Sequence, residues 1–274
     1  QKNPKSLTRQ REIARIAVET DDTQTAIDSY ALMHMHGRGS SFKGGGRVVK
    51  NVAGYDFCKL LTGSMGTLGV ITELTLKLKP IPERFAIAVC SPTDLAQAEQ
   101  ILAALINSDT TPCAVELLAG PTWAANKHLT GDASATNGLF LAVALEGTEP
   151  EVFWMAKQLG TEWRHEGVRD HHIVDGDAAR ELFANMTEFP SCGESPLVIR
   201  ATMVPSGTTK FIGAVQDLDK NCSLQSHAGN GIVIARLSEF PSAGLARTLV
   251  GKLQAVATAA RGNVVVLSNP GGSE

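Results

Sequence analysis

The chain has 274 residues, 43% of them hydrophobic, enough for one large or two modest cores. Its formal charge of −3 leaves no basic surplus for a phosphate backbone, and no Lys/Arg run alternates with aromatics, which argues against nucleic acid as a partner. No apolar run approaches the roughly 18–20 residues that span a bilayer, and Gln1 to Arg11 is polar with no apolar segment behind it, so the expectation is a soluble, cytoplasmic chain.

Residues 1–37 form an atypical segment, polar and weakly helical or poorly ordered, with Ile13, Ile16 and Ala17, then Ile27, Tyr30 and Ala31, at helix-like spacing. From Gly44 the character changes to a glycine run, a β-branched stretch at Arg47 to Val49, a turn at Gly54, and then Leu60 leading into Gly63. Residues 70–79 alternate, with Leu74, Leu76 and Leu78 on one face and Thr75, Lys77 and Lys79 on the other, until Pro80 and Pro82 stop the pairing. That pattern predicts a half-buried strand whose polar face, Glu73 included, is solvated.

Beyond Glu83, strand-like Phe85 to Cys90 precedes a helix with Ser91, Pro92 and Asp94 as N-cap, N1 and N3, and with Leu95, Ala98, Leu102 and Leu105 on one face. Strands at Ala114 to Leu118 and Leu139 to Leu145 follow. Thr148 and Glu151 then form a capping box that opens a helix through Val152, Met155 and Leu159. The last third reads as strand Leu197 to Val204, helix from Ser206 through Leu218, strands at Ser223 to Ser226 and Ile232 to Leu237, helix 243–260 and strand Asn263 to Leu267. This βαββαβ order is that of a ferredoxin-like α+β sandwich. Residues 84–274 are therefore expected to be an α+β domain ending in a βαββαβ unit.

The string with chemical content runs Gly44-Gly-Gly-Arg-Val-Val-Lys-Asn-Val-Ala-Gly-Tyr-Asp56, and continues from Lys59 through Gly63-Ser-Met-Gly66-Thr-Leu-Gly69-Val-Ile-Thr72. Three glycines spaced by three residues let backbone N–H groups approach a ligand or adopt positive φ, and the Ser64 and Thr67 hydroxyls suit a phosphate or a flavin carbonyl. The same glycines equally fit a tight bend before a strand, and spacing does not decide between the two. The string is neither a Walker A loop nor the G-x-G-x-x-G of a Rossmann turn.

The string G-G-R-V-V-K-N-V-A-G-Y-D-x-x-K-L-L-x-G-S-x-G-T-L-G-V-I-T-E resembles the second flavin-contacting segment of the FAD-binding subunit of bacterial glycolate oxidase, within the vanillyl-alcohol-oxidase (PCMH-type) superfamily. The resemblance is specific over residues 40–83 and weaker to about 270. It implies an α+β chain in which the C-terminal part of a PCMH-type FAD-binding domain, residues 38–83, precedes a ferredoxin-like cap. It also implies FAD contacts from Gly63, Ser64, Gly66, Thr67, Gly69, Val70 and Ile71, with Lys50, Asn51, Tyr55 and Asp56 close by. Ser226-His-Ala-Gly-Asn-Gly231 is similar to a histidine and glycine turn that faces the flavin ring in that family. Family members carry a further lobe with its own glycine-rich pyrophosphate loop and a longer C-terminal tail; residues 1–37 and 269–274 hold neither, so a partial chain is expected. The implied partners are a second flavin subunit, an iron–sulfur subunit and a small 2-hydroxy acid, with any membrane association peripheral and through those partners.

Oxidation of a 2-hydroxy acid needs a base for the hydroxyl proton and a cation for the carboxylate, and His227 and Arg200 are the candidates. Against these stand a histidine hydrogen-bonded within a turn and an arginine paired with a surface acid. His34 with His36, and His171 with His172, have no third ligand at metal-site spacing and read as loop histidines. The five cysteines are far apart without a C-x-x-C pair, so no disulfide frame, zinc or iron–sulfur site is expected. Two rival functions remain: a non-catalytic structural or interaction subunit that holds no FAD alone, and a ferredoxin-like ligand-binding module.

Overall fold

The computed structural model describes residues 33–37, 40–45, 55–64, 66–76, 80–131, 137–193, 195–238 and 245–270. The chain divides between Ile81 and Pro82 into two compact units.

In the first unit, β1 (Met33–Gly37) pairs antiparallel with β2 (Ser40–Gly44) and with β3 (Val70–Ile71), giving the order β2-β1-β3. A short helix, α1 (Phe57–Leu61), starts at Asp56, whose carboxylate accepts the Lys59 N–H at 3.1 Å, and it buries Cys58 and Leu61 against Phe57 and Ile71. Among the described residues of the strand expected over 70–79, pairing is confined to Val70–Ile71, and residues 77–79 lie outside the described residues. Pairing with β1 stops there, at Met35 opposite Ile71, and Leu74 and Leu76 lie exposed where a half-buried strand would have hidden them.

The second unit is an eight-stranded, wholly antiparallel sheet in the order β11-β8-β10-β9-β5-β6-β4-β7. Its strands are β4 (Arg84–Cys90), β5 (Ala114–Ala119), β6 (Leu139–Gly147), β7 (His171–Asp175), β8 (Leu197–Thr202), β9 (Ser223–His227), β10 (Ile232–Leu237) and β11 (Asn263–Ser268). The helices are α2 (Leu95–Leu105), α3 (Pro121–Ala124), α4 (Lys127–Thr130), α5 (Glu149–His165), α6 (Gly176–Glu188), α7 (Thr208–Leu218) and α8 (Leu245–Ala259). Each half of the sheet runs β-α-β-β-α-β with its fourth strand beside its first and its second strand at the other end: β7-β4-β6-β5 and β11-β8-β10-β9. The two halves join through their second strands, β5 and β9. The ferredoxin-like order read in the last third of the sequence thus occurs twice.

Helices α2, α5, α7 and α8 pack one face of the sheet, with Ile101, Leu159, Phe211 and Leu253 against Leu141, Val143, Ile199 and Val233. The opposite face is covered by Trp123, Leu129, Leu182, Met186 and Phe189 from α3, α4, α6 and the end of α6, packed on Ile87, Phe140, Val198 and Ile234. Burial of both faces explains why β4 and β6 are continuous apolar runs and not alternations. Trp123 secures its place by donating its indole N–H to the Leu224 carbonyl at 2.8 Å.

Two local readings need correction. Asp94, not Ser91, caps α2: its backbone is extended and its carboxylate accepts the Gln97 N–H at 2.8 Å, so the helix starts three residues later than expected. Neither histidine pair lies in a loop: His34 and His36 are on β1, inside the segment 1–37 read as weakly helical or poorly ordered, whose residues 1–32 lie outside the described residues, and His171 and His172 are on β7, an edge strand that buries Val174 and so carries little period to read. The Thr148–Glu151 capping box forms as expected, with Glu151 accepting the Thr148 N–H at 2.8 Å and its hydroxyl at 2.7 Å. Cys58, Cys90 and Cys222 are buried, and desolvation pushes the Cys222 thiol up to about 12.

Candidate functional site

The glycine-rich loop follows α1. Thr62 ends the helix by donating its hydroxyl to the Cys58 carbonyl at 2.7 Å, and Ser64 N–H donates to Leu61 O at 3.1 Å. Gly63 and Gly66 have φ of +80° and +76°, and no neighbouring heavy atom lies within 4 Å of a side chain built at either, so left-handed backbone and not crowding calls for glycine there. Thr67 closes the turn on Ser64 O, through its N–H at 3.0 Å and its hydroxyl at 2.7 Å. The Thr67 proton read as a ligand donor is therefore committed within the loop. Gly69 is half-buried, and Val70 and Ile71 continue into β3. Tyr55 is 87% exposed; Lys50 and Asn51 lie outside the described residues.

In the second unit, the catalytic candidates share one face of the sheet. Leu118, Val198 and Ile234 belong to the face covered by α6, so alternation puts Glu116, Arg200, Ile232 and Arg236 on that face too. On β9, Leu224 points to the other face, which leaves Gln225 and His227 on this one. Register lines up Thr202, Ile232, His227 and Glu116 across β8, β10, β9 and β5, with Arg200, Ile234, Gln225 and Leu118 in the next row. His227 and Arg200 are thus two strands and one row apart, about 12 Å between Cα atoms from standard strand spacings.

His227 ends β9 and is followed by a single 3-10 turn, Ala228–Asn230, and by Gly231 at φ +68°. A side chain at Gly231 would strike the Met203 carbonyl, so the turn admits glycine alone. The His227 Nδ1 lies 2.6 Å from Glu116 Oε1, and Gln225 Nε2 donates to Glu116 Oε2 at 3.1 Å. Glu116 was not among the residues singled out from sequence, where it is one acid inside the apolar run 114–119. Its hydrogen bond holds the imidazole above the usual histidine range, against the opposing pull of burial. Arg200 carries a buried Nε without a hydrogen-bond partner, whereas Arg236 donates Nη1 to Phe189 O at 3.0 Å and lies 5.8 Å over the Phe189 ring.

Of the other histidines, His172 Nε2 lies 2.9 Å from the His128 carbonyl, and His171 meets Trp163 edge-on. Among the described residues no group of three His, Cys, Asp or Glu is arranged to hold a metal, and no helix is long and apolar enough to cross a membrane.

This architecture is that of a solved p-cresol methylhydroxylase, matched at a TM-score of 0.57 over 84% of this chain and 54% of that one; at 15% identity the likeness establishes the fold. The fold class is therefore α+β, with a fold similar to that of p-cresol methylhydroxylase. No family model matches the chain. Its homologues are D-lactate dehydrogenases and glycolate oxidase subunits. It is 29% identical over 208 residues to the mitochondrial cytochrome D-lactate dehydrogenase of Arabidopsis thaliana, covering 70% of this chain and 36% of the relative. To glycolate oxidase subunit GlcD of Bacillus subtilis it is 37% identical over 84 residues, 31% of this chain and 18% of the relative. To subunit GlcE of Escherichia coli it is 52% identical over 46 residues, 17% of this chain and 13% of the relative. FAD-linked oxidoreductases are also among its homologues. The chain spans little more than a third, or less, of the length of these relatives.

Proposed function

We propose that the chain is the FAD-binding part of a glycolate-oxidase-like complex that oxidises glycolate or a related 2-hydroxy acid. The observation that carries this reading is the single sheet face that presents His227, hydrogen-bonded to Glu116, together with Arg200 and its unpartnered Nε. Glycolate and D-lactate, named in the relatives, are both 2-hydroxy acids, so one site chemistry serves either.

The loop from Gly63 to Ile71 fits a flavin. It offers an open, left-handed backbone turn, the Ser64 hydroxyl, and apolar Leu68 and Val70 exposed beside it, without a charged side chain among its described residues. Gly63, Ser64, Gly66, Gly69, Val70 and Ile71 would hold the cofactor, with Thr67 shaping the turn; Lys50, Asn51 and Tyr55 are the further contacts that the resemblance implies. Bound FAD would supply the two-electron acceptor for the substrate's C–H hydride. The protein's own work is to bind and to move a proton: Arg200 pairs with the substrate carboxylate, and the His227 Nε2 takes the hydroxyl proton as the carbonyl forms. The reading extends to a cytoplasmic complex in which a second flavin subunit and an iron–sulfur subunit receive the electrons.

The test is the visible spectrum of the purified chain, alone and after co-expression with partner subunits, followed anaerobically on adding glycolate or D-lactate. Flavin absorbance that bleaches with substrate is expected, with loss of bleaching in Arg200→Lys. A colourless chain in both preparations would overturn the reading and favour a structural subunit without FAD.

A further inference from the structure

We propose that Glu116 is the positioning residue of His227: it fixes the imidazole through Nδ1 and leaves Nε2 as the atom with which the ring meets a reactant. The inference rests on the assignment of His227 as proton acceptor in the proposed function, and it adds the residue that makes that assignment work.

The sequence around Glu116 gives it no reason to be acidic on packing grounds. Leu117, Leu118 and Ala119, the three residues that follow it on β5, are at most 1% exposed, and Glu116 itself is 6% exposed. A carboxylate so placed is costly unless its oxygens are bonded, and an apolar residue of similar size would serve stability as well. Both oxygens have donors: Oε1 the His227 ring at 2.6 Å, Oε2 the Gln225 amide at 3.1 Å. Gln225 is 1% exposed and fixed within β9, so it holds the carboxylate rigid while the carboxylate holds the ring.

The arrangement is also directional. The Glu116 side chain is 8% exposed and that of His227 35%, so the anion is the inner member of the pair and the imidazole the outer one. An ionised carboxylate accepts hydrogen bonds only, which places the proton on Nδ1 and, in the neutral ring, the lone pair on Nε2. A histidine free to flip would offer either nitrogen. The other charged or titratable strand residues on this face are Arg200 on β8, Arg236 on β10, Glu146 on β6 and His172 on β7, and none of them is the cause of the raised affinity of His227 for its proton; Glu116 is.

The proton balance is simple. Nε2 of the neutral ring accepts the substrate's hydroxyl proton, the ring becomes imidazolium against Glu116, and that proton later returns to solvent; the hydride leaves with the electron pair to the flavin of the proposed function. Glu116 touches neither substrate nor cofactor.

The experiment uses the full chain. Imidazole nitrogen NMR follows the titration of His227, assigned by its loss in His227→Gln, in the parent, in Glu116→Gln and in Glu116→Asp. Expected is a parent His227 protonated on Nδ1 whose midpoint lies above that of free histidine, a midpoint that falls back in Glu116→Gln, and an intermediate one in Glu116→Asp, which keeps the charge at a longer reach. In turnover with glycolate, Glu116→Gln should lose about tenfold or more in kcat/KM, with the acid limb of its pH profile moved to lower pH and partial rescue in Glu116→Asp. A His227 midpoint unchanged in folded Glu116→Gln overturns the proposal. Should Glu116→Gln fail to fold, Glu116→Asp decides by the same reading, and an unchanged midpoint there overturns it equally. The expected NMR shifts in a chain that never turns over glycolate or D-lactate would refute the oxidase reading and leave the positioning role standing.

Discussion

Glu116 and His227 sit 111 residues apart in sequence, and the sequence discloses them unequally. His227 is visible because the family resemblance picks out its histidine and glycine turn; that the glycine at 231 is sterically required is a fact of the fold. Glu116 is hidden, since a lone acid in an apolar strand carries no signature until the partner strand is known. Arg200 is legible only through the family resemblance; its buried, unpartnered Nε is a fact of the fold. The pair also has a pH signature. Because the folded His227 binds its proton more tightly than an unfolded histidine would, the pair's contribution to stability is complete below the ordinary value near 6.5 and is lost as pH rises through the raised one. The melting-temperature gap between the parent and Glu116→Gln should therefore be widest near pH 5.5 and close toward pH 9, as calorimetry can check. With the imidazole a third exposed and screened, the gap corresponds to about 1 kcal/mol or less. A gap that does not narrow as pH rises would show that Glu116 does not hold the imidazole charged.

Elements were legible where their signals are local. The capping box of α5 needs only four consecutive residues, and it forms as the sequence implies. Thr148→Ala should cost about 1 kcal/mol, measured by denaturant unfolding, with Glu151→Gln costing less because that side chain lies in solvent. Where the deciding partner is distant, reading fails. The alternation of residues 70–79 is a genuine strand pattern, yet among the described residues β1 pairs only with Val70 and Ile71, and residues 72–76 form no ladder. β7 fails the opposite way: β4 supplies a full partner, but an edge strand that buries little more than Val174 shows no period. The start of α2 turned on which of two plausible caps wins, and Asp94 wins because Gln97 also returns its side chain to the Thr93 N–H at 2.7 Å.

At the scale of the whole molecule, the α+β class and the ferredoxin-like order of the last third were readable, while the repetition of that order in residues 84–175 was not. Missing β7 removed the fourth strand of the first repeat, and without it a β-α-β-β-α-β unit looks like an interrupted β-α-β series. The join between the repeats, β5 against β9, is the place where Glu116 meets His227. Each repeat closes its own four strands through contacts made within it, whereas the β5–β9 ladder needs strands from both repeats in place before it can pair, which makes its closure late. Bonds across that ladder then form after the rate-limiting barrier to folding. Stopped-flow chevrons of Glu116→Gln should show a steeper rise in unfolding rate than fall in folding rate. A folding arm that slows as much as the unfolding arm quickens would mean the two halves dock early. The residue pair proposed to aim the chemistry would thus also act as a kinetic latch, setting how long the assembled sheet survives before its halves part.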